Sequence, residues 1–552
     1  MLVPSSLRGR ALRFTLAAAL LGAVAALASS CSILIDDGTN QCAAQADCAP
    51  FPGTLCQGGL CTTCATTNDC VASYGENNIC QKDTHLCVSL LSPDCTEVFG
   101  DYTNDDAIIL GAIAPYTGDD TSTGVALIDA MNLALADLDQ VNDLPPAPGS
   151  SGQRPIVVVA CSDQSDSDTG QAAAQHLVDD VKVPAIIGPA FSGVTLDVAQ
   201  NITIPAGVLL FSPSATSTEI TGLPDHGLVW RTSPSDVYQA AALKKYVPDI
   251  EANVRAALGL AASDKVKLAV LHKGDSYGSG LNTALLSGTP LQLNGASVES
   301  ASNASSFLQK DYGDPSHADT DPPIYAQTVT AALGLQPHII LVFGTEEGIE
   351  DVFEPIDMQW PSTLPYKPIW VFSDGGETSE LRAYVGNNTE LRQRVRGTVP
   401  GTNNQNFVTF RGHFIDESHD DASPDVFGTA GMYDITYLLA YSIVALGSQP
   451  ITGANLNGAL QVDFTAASPT VNVSKDITST FTRMQKMQPF NFEGASGSLQ
   501  FDPTTGEAPS DIQIWCLPDD VNTAGSNSGL FYSADADALS GSIMSAICGF
   551  TE

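Results

Sequence analysis

The feature that most constrains the fold of this chain is a pair of short apolar runs, each followed by a turn of small hydroxyl residues. The runs are Ala185–Ile187 and Val208–Phe211, and their composition is typical of buried parallel strands. Ser192-Gly193 follows the first run, and Ser212-Pro213-Ser214-Ala215-Thr216 follows the second. Because each turn leads into a predicted helix, hydroxyls and helix-start amides should meet at the carboxyl edge of an open α/β sheet. That geometry suits a small molecule that carries a carboxylate.

The sequence around these runs alternates strand and helix. Before and after them, strands are predicted at Ile108–Ala114, Ile156–Cys161 and Val229–Thr232. A second series of strands is predicted at Lys267–His272, Ile339–Gly344 and Ile369–Ser373. Helices lie between them; one buried helical face is formed by Val125, Ile128, Met131, Leu135 and Leu138. This repetition predicts parallel sheets with helices on both faces, and 552 residues can build more than one such core.

An ordered series of motifs resembles the type I periplasmic-binding-protein family, in particular its branch that binds leucine, isoleucine and valine. The resemblance rests on Ile186–Gly193, Ser212–Thr221 and Trp230–Asp236, and on three further segments in the same order: Leu110–Gly118, Val270–Gly278 and Gly497–Gly506. It extends from about Ile108 to Leu517.

The resemblance implies an α/β fold with two doubly wound parallel-sheet lobes joined by a hinge that the chain crosses three times, near Asp236, Val399 and Ile512. The expected order is a signal peptide at 1–30, a linker at 31–41, a disulfide-rich module at 42–95 and a C-terminal tail at 521–552. Lobe 1 is expected at 105–236 plus 400–512, and lobe 2 at 237–399 plus 513–520. The long apolar segment Thr429–Leu446 is predicted to be a helix of lobe 1.

The resemblance also implies a ligand site. Ser192, Ser214 (through its amide) and Thr216 are the expected carboxylate holders. Asp236 and Asp374 match positions that face a ligand amine or the hinge, and Tyr277 is an expected wall from lobe 2. Thr345 stands where the family has tyrosine, which leaves room for a bulkier or more polar ligand.

Simpler interpretations of these residues remain open. Ser192 could cap the helix that follows it, and Thr216 with Glu219 could form a capping box. Asp236 and Asp374 could be exposed loop acids.

The N-terminus has the features of an export signal. Arg8, Arg10 and Arg13 precede the apolar run Leu16–Leu27, and Ala28-Ser29-Ser30-Cys31 follows. The last four residues resemble a bacterial lipobox, in which Cys31 becomes the lipidated first residue. The alternative is ordinary cleavage that leaves Cys31 free. Lipidation would place the protein outside the cytoplasm, anchored to the cell envelope on the periplasmic side or at the cell surface.

The cysteines indicate an oxidising compartment. Two four-cysteine units follow one another, which predicts two bridges within each unit and a stapled module that serves as a spacer. The units are Cys42, Cys48, Cys56 and Cys61, then Cys64, Cys70, Cys80 and Cys87. Cys61-Thr-Thr-Cys64 could instead be a redox or zinc motif, although it falls at the junction of the units. Cys95, Cys161, Cys516 and Cys548 could pair in three ways.

Composition excludes several function classes. The net charge of −39 disfavours binding to nucleic acid or to anionic lipid. His413 and His419 could bind a metal, but two ligands without closed spacing are common by chance, so no metal site is predicted. Gly274-Asp275-Ser276 lacks a supporting histidine motif, so neither an enzyme nor a cofactor is predicted.

These features together predict a lipid-anchored solute-binding protein that closes its lobes over an amino acid or a similar small carboxylate. Its partner would be an ABC permease of the branched-chain amino-acid class. The alternatives are a regulatory lipoprotein of the same fold, such as a peptidoglycan-synthase activator, and a sensory ligand-binding subunit.

The lipid anchor can be tested at Cys31. We expect Cys31→Ala to leave the protein in the aqueous phase or unprocessed, whereas the native protein partitions into detergent, because each buried acyl CH₂ contributes about 0.8 kcal/mol. Phase partitioning of membrane extracts measures this. Unchanged partitioning of the variant would contradict lipidation at Cys31.

Overall fold

The computed structural model of the protein describes residues 40–318, 320–401, 404–417, 423–463, 470–472, 474–486, 488, 491–518 and 527–549. The expected signal peptide, Cys31, His419 and residues 521–526 of the expected tail lie outside these residues. The chain divides into two compact units with the boundary between Val88 and Ser89.

The first unit repeats one small stapled motif. Its elements are Gln45–Cys48 (3₁₀), the strands Leu55–Gln57 and Leu60–Thr62, the helix Thr67–Tyr74, and the strands Asn78–Cys80 and Cys87–Ser89. The Asp47 carboxylate accepts the amides of Ala43 and Ala44, and Asp69 accepts those of Ala65 and Thr66 in the same way. Each half of the repeat therefore begins with the same carboxylate-capped turn.

The disulfides of this unit stay within each half, as the repeat predicts. The bridges are Cys42–Cys56, Cys48–Cys61, Cys64–Cys80 and Cys70–Cys87. Cys61 and Cys64 thus belong to different bridges, so neither offers a thiolate for redox or zinc chemistry. The buried apolar cluster consists of Leu55 with cysteines, so the bridges replace a hydrophobic core.

The second unit contains two large sheets. The first has the spatial order Val229–Arg231, Leu209–Ser212, Ala185–Ile187, Ile108–Ala114, Ile156–Ser162 and Cys95–Phe99. The first five strands are parallel, and Cys95–Phe99 is an antiparallel edge. Cys95 therefore belongs to this sheet, where it lies opposite Cys161 and is bonded to it.

The second sheet has eight strands, of which the first five are parallel. Their order is Phe307–Asp311, Leu268–His272, Ile339–Phe343, Ile369–Phe372, Val395–Pro400, Ile512–Cys516, Asn527–Ser533 and Ala538–Gly541. The last three are antiparallel. Residues expected to form a separate tail thus extend this sheet, and Cys516–Cys548 ties the chain end to it.

Helices cover both faces of each lobe, which is the doubly wound arrangement. On lobe 2, Leu268 and Val270 pack with the Asp236–Leu258 helix, whereas Ala269 and Leu271 pack with the helices of the opposite face. The lobe 2 helices are Asp236–Leu258, Gly278–Leu286, Tyr325–Leu335, Gly348–Phe353 (π), Glu354–Gln359, Ser379–Val385, Thr389–Arg392 and Ser545–Cys548.

Lobe 1 is completed by segments that return late in the chain. Its helices are Thr121–Gln140, Ser167–His176, Leu177–Val181 (π), Ser192–Val198, Ala199–Thr203 (π), Ile204–Ala206, Thr218–Thr221, Gln405–Glu417, Thr429–Leu446, Gly453–Asp463 and Ile477–Gln485. The short strands Thr470–Asn472 and Asn491–Glu493 pair beside them, and Gln292–Leu293 pairs with Ala296–Ser297 in lobe 2. The chain therefore passes between the lobes three times: before Asp236, after Pro400 and before Ile512.

Thr429–Leu446 is the helix predicted from its apolar composition. Among the described residues it is the one helix whose length and composition would allow a membrane span, and 94% of it is buried inside the protein. Asp434 accepts the amides of Ala495 (3.0 Å) and Ser496 (2.7 Å), which attaches the last returning segment to lobe 1. This helix is therefore a core element of lobe 1.

The stapled unit should depend on its bridges far more than the two-lobe unit does. Each of the four bridges closes a loop of 13 to 17 residues, and such a loop contributes about 3 kcal/mol. We expect a thiol reductant to unfold residues 42–87 while the two-lobe unit keeps its cooperative thermal transition. Limited proteolysis with and without reductant measures this. Loss of the main transition on reduction, or a protease-resistant reduced module, would contradict it.

Candidate functional site

The candidate site lies between the carboxyl ends of the parallel strands of the two lobes. A cleft there has a cavity volume of about 30 Å³ and opens to solvent at its mouth. Clefts at the strand ends of open α/β sheets are where ligands bind. Lobe 1 contributes Thr123, Ala190, Phe191, Ser192 and Ser214; lobe 2 contributes Tyr277, Thr345, Asp374, Gly375, Glu377 and Thr378; and the connecting segment adds Val426 and Phe427.

The structure brings most of the sequence-predicted site residues to this cleft. The five that line it are Ser192, Ser214, Tyr277, Thr345 and Asp374. Thr216 and Asp236 do not line it, but they are buried directly behind these residues and contact them. The seven residues form one continuous cluster.

Ser192 does not cap its own helix. The Ser192–Val198 helix has Phe191 as its N-cap, and the Ser192 hydroxyl instead accepts the amides of Thr216 and Ser217, each at 3.1 Å. These two amides are buried at the end of the neighbouring strand and need an acceptor. The Ser192 hydroxyl was expected to bind a ligand carboxylate together with nearby backbone amides. In the structure it accepts the hydrogen bonds of those amides itself.

The second hydroxyl turn is also satisfied internally. Ser214 donates its hydroxyl to the Ala190 carbonyl at 2.8 Å, and its amide lies 3.5 Å from the Ser212 hydroxyl. The helix that follows is capped by Ser217, whose side chain accepts the Glu219 amide. The capping box expected at Thr216 is therefore wrong by one residue, because Thr216 points towards the hinge.

Thr216 and Asp236 meet at the first crossing between the lobes. The Asp236 amide donates to the Thr216 carbonyl at 2.8 Å. The Thr216 hydroxyl lies close enough to lower the pKa of the Asp236 carboxyl, but it has no partner with good hydrogen-bond geometry. Oδ2 of Asp236 likewise has no partner. Two buried polar atoms are thus available behind the cleft.

Gln239 connects Asp236 to Asp374. Its amide oxygen accepts the Thr398 hydroxyl (2.7 Å) and the Asp374 amide (3.2 Å), which fixes the orientation of the side chain. Its NH₂ group therefore faces Asp374 Oδ1 at 2.7 Å and Asp236 Oδ1 at 3.3 Å. Tyr277 donates to the same Asp374 oxygen, also at 2.7 Å. One network joins the hinge to the wall of the cleft.

The two carboxyls of this network are destabilised in their ionised form. Burial and the neighbouring Asp374 raise the pKa of Asp236 to about 8, and burial raises the pKa of Asp374. Arg231 is the nearest cation, but it pairs with Glu507 and donates to the Ala215 and Ser217 carbonyls. The pair is therefore incompletely compensated by positive charge.

A second group of acids joins the lobes at the edge of the cleft. The Ser122 hydroxyl of lobe 1 lies 2.8 Å from Oε1 of Glu346 and 2.9 Å from Oε2 of Glu380, both of lobe 2. One hydroxyl has a single hydrogen, so one of the carboxyls must be protonated for both contacts to be favourable. Burial, with Asp120 and Glu380, raises the pKa of Glu346 to about 9.

Two further contacts hold the lobes together. Nε2 of His317 in lobe 2 lies 3.4 Å from Oδ2 of Asp197 in lobe 1. Lys273, buried at the end of a lobe 2 strand, lies 3.5 Å from the Asp275 carboxylate and 5.8 Å from the centre of the Phe191 ring of lobe 1. The cleft is therefore bridged by polar contacts on more than one side.

Sequence reasoning missed several lining residues. Phe191 and Phe427 provide aromatic walls, and Glu377 adds a carboxylate that pairs with Arg382 at 3.4 Å. A Cβ on Gly375 would lie 2.6 Å from the Gly344 carbonyl oxygen, so only glycine fits there. The sequence did contain one signal for acids near the cleft, which is their position along the chain. Glu346 and Glu377 follow closely after buried strands, as Asp374 does.

The two histidines considered as metal ligands are not brought together by the described structure. Nε2 of His413 lies 3.7 Å from the Asp137 carboxylate, and His419 lies outside the described residues.

Comparisons with known proteins agree with this architecture. A family model described as "Periplasmic binding protein" matches residues 107–285. The branched-chain amino acid transporter substrate binding protein LivJ of Streptococcus pneumoniae, solved with isoleucine, has a TM-score of 0.54 at 17% identity, covering 76% of this chain and 99% of that chain. The leucine binding protein LivK of Thermotoga maritima has a TM-score of 0.51 at 17% identity, covering 74% and 95%.

A third structure has a different ligand. A solute binding protein from R. palustris in complex with 4-hydroxybenzoate has a TM-score of 0.51 at 14% identity, covering 74% of this chain and 93% of that chain. No curated protein matches the chain in sequence. At these identities the structural likeness establishes the fold. The predicted resemblance and the predicted type I periplasmic-binding-protein fold are confirmed.

The buried acids predict how stability depends on pH. A carboxyl whose folded pKa is raised stabilises the fold fully below its unfolded pKa of about 4 and loses that contribution as pH rises through the folded value. The pKa of Asp236 is raised to about 8 and that of Glu346 to about 9, in both cases mainly by burial. We therefore expect the thermal midpoint of the two-lobe unit to fall between about pH 6 and pH 9.

A matched pair of variants tests the assignment. Asp236→Asn should reduce the fall, because an amide cannot ionise. Asp249→Asn makes the same change on the same helix, Asp236–Leu258, at an exposed position, and should leave the fall unchanged. Differential scanning calorimetry measures both. An equal fall in all three proteins, or a midpoint that rises with pH, would contradict the prediction.

Proposed function

We propose that this chain is an extracytoplasmic, lipid-anchored solute-binding protein that captures an amino acid or a similar small carboxylate by lobe closure and delivers it to an ABC permease. The observation that carries the proposal is the cleft between the strand ends. Both lobes line it, with hydroxyls on one side and a carboxylate with a tyrosine on the other. A zwitterionic ligand needs those two kinds of partner.

The carboxylate end of the ligand is assigned to lobe 1. Rotation of the Ser192 side chain would release the amides of Thr216 and Ser217, and the Ser214 hydroxyl is adjacent. Hydrogen bonds to a charged group contribute about 1.5–3 kcal/mol each. A carboxylate that replaces the Ser192 oxygen would keep both amides satisfied.

The amine end is assigned to lobe 2. Asp374 and Tyr277 face the cleft, and Asp236 lies behind them as a second carboxyl. Thr345 leaves space beside them, and Phe191 with Phe427 offers apolar walls to the rest of the ligand. Isoleucine and 4-hydroxybenzoate, the ligands of two structurally similar proteins, each combine a carboxylate with an apolar body.

The proposed lobe closure follows from the positions of the ligand-binding residues, which lie on both lobes. A ligand that contacts Ser192 of lobe 1 and Asp374 of lobe 2 gains its full set of interactions only when the lobes are together. It therefore shifts the population towards the closed state by its differential affinity. The three crossing segments allow this motion while each sheet stays intact.

The environment of the chain supports the same role. An export signal with a lipidation cysteine would place the protein beside a membrane permease, and the disulfides match an oxidising compartment. The regulatory and sensory alternatives share these features. They differ in lacking a permease partner, and a protein-binding regulator need not bind a small molecule in the cleft.

The proposal is tested by ligand screening. We expect a thermal-shift screen of amino acids and small carboxylates to give hits, because ligand at about 100 times its Kd adds about 2.7 kcal/mol to stability. Small-angle scattering with the best hit should show compaction. A screen without hits, together with unchanged scattering, would favour the protein-binding alternative.

A wall variant tests the location of the site. Phe427→Ala removes an aromatic wall that is half-buried, so affinity for the best hit should fall by about 1–3 kcal/mol with little change in stability. Phe531→Ala, at a half-buried position of the C-terminal strands, is the matched control and should bind normally. Isothermal titration calorimetry measures both. Normal affinity in Phe427→Ala would place the site elsewhere.

A further inference from the structure

We infer that the group this cleft requires in its ligand is a cationic amine on an apolar body, and that a carboxylate is dispensable. The inference rests on the proposed function and deepens it, because it names which end of a zwitterion is recognised. It follows from an asymmetry between the two ends of the cleft. One end has its polar groups satisfied by the protein, and the other holds two buried carboxyls, Asp236 and Asp374, that form no salt bridge among the described residues.

The lobe 1 end has little to offer an anion. The Thr216 and Ser217 amides are bound by the Ser192 hydroxyl, each at 3.1 Å, and the Ser214 hydroxyl is bound to the Ala190 carbonyl at 2.8 Å. A ligand carboxylate must break these bonds before it makes its own. Its net contribution is the excess of the new charge-assisted hydrogen bonds over the neutral bonds that it breaks, which is less than the same bonds would contribute if the amides were unoccupied.

The lobe 2 end has acids without enough positive charge. Asp374 lines the cleft, Asp236 lies behind it, and Gln239 holds both carboxyls towards its NH₂ group. Oδ2 of Asp236, a residue that is fully buried, makes no hydrogen bond of good geometry, although the Thr216 hydroxyl lies close to the carboxyl. An ammonium has three N–H donors and a full positive charge. It can therefore offer these carboxyls a positive charge, which the neutral NH₂ group of Gln239 does not carry.

The charges that line the cleft have one sign. They are Asp374 and Glu377, and Glu377 is paired with Arg382. Among the residues that line the cleft there is no lysine, arginine or histidine. The cations beside the lining residues are already paired, Arg382 with Glu377 and Lys273 with Asp275, so an amine is better accommodated in this field than a carboxylate.

The remaining walls indicate the rest of the ligand. Ala190, Phe191, Val426 and Phe427 are apolar and face the cleft. Burial of a branched aliphatic or aromatic group against them is favourable in proportion to its area. The ligand class is therefore a primary amine that carries such a group, with or without a carboxylate.

Two matched series of compounds test this. The aliphatic series is L-leucine, 3-methylbutylamine and 4-methylpentanoate, and the aromatic series is L-phenylalanine, 2-phenylethylamine and 3-phenylpropionate. Within each series the first compound has both groups, the second only the amine and the third only the carboxylate. Isothermal titration calorimetry of the intact protein near pH 7 gives the affinities.

In the series that binds, we expect the amine to bind within about tenfold of the amino acid, and the carboxylate at least about a hundredfold more weakly. A carboxylate that binds as tightly as the amine would overturn the inference while leaving solute binding intact. Failure of all six compounds to bind would overturn the inference and the proposed amino-acid function together.

A second readout does not depend on affinity alone. We expect the acid pair of Asp236 and Asp374 to hold a proton without ligand, because burial raises both pKa values and the neighbouring Asp374 raises that of Asp236 further. An ammonium that binds at Asp374 favours the ionised form of the pair and should displace that proton, so the binding heat should vary with the ionisation heat of the buffer. Asp236→Asn should remove this variation and weaken the amine, and Asp249→Asn should change neither. Buffer-independent heats in the native protein would overturn the inference.

Discussion

The hydrogen bonds of Gln239 are the interaction on which the two-lobe unit most depends. Its amide oxygen is held by the Thr398 hydroxyl and the Asp374 amide, and its NH₂ group holds the carboxyls of Asp374 and Asp236. Asp236 begins the helix that follows the first crossing, and Thr398 lies in the strand that precedes the second. One buried side chain thus fixes the hinge and the cleft wall relative to each other. Because these bonds are buried, losing any partner leaves polar atoms unsatisfied, at a cost of about 1–3 kcal/mol each.

The elements that sequence predicts well are those whose local pattern and buried environment agree. Ile108–Ala114 and Ile339–Phe343 are continuous apolar runs, and buried parallel strands need no other signal. Phe307–Asp311 and Asn527–Ser533 were missed because they are half-exposed strands of mixed composition, stabilised by pairing with distant segments. Long-range pairing has no signature within a short window of sequence.

Some features of the candidate site can likewise be predicted from local sequence, and others cannot. The position of Asp374 after a buried strand predicts that it reaches the cleft, because parallel strands end at the same edge. The role of Ser192 could not be predicted, since a serine before a helix is usually a cap. Whether its hydroxyl serves its own helix or the neighbouring turn depends on how two strands lie side by side. The contacts of Ser122 with Glu346 and Glu380 depend on how the two lobes lie against each other. They could not be predicted, because a short window of sequence carries no information about that arrangement.

The acids at the junction of the lobes give this arrangement an electrostatic cost. Ser122 lies against Glu346 and Glu380, and the carboxyls of Asp374 and Glu377 line the cleft. Glu377 is paired with Arg382, whereas burial raises the pKa of Asp374, and burial with the acids Asp120 and Glu380 raises the pKa of Glu346. An amine bound at Asp374, as we infer, would reduce the repulsion between Asp374 and Asp236, and its effect is large because both carboxyls are buried in a region of low dielectric constant. We therefore expect the charge of a ligand to favour the arrangement in which both lobes contact it, and a neutral ligand of the same shape to lack this gain.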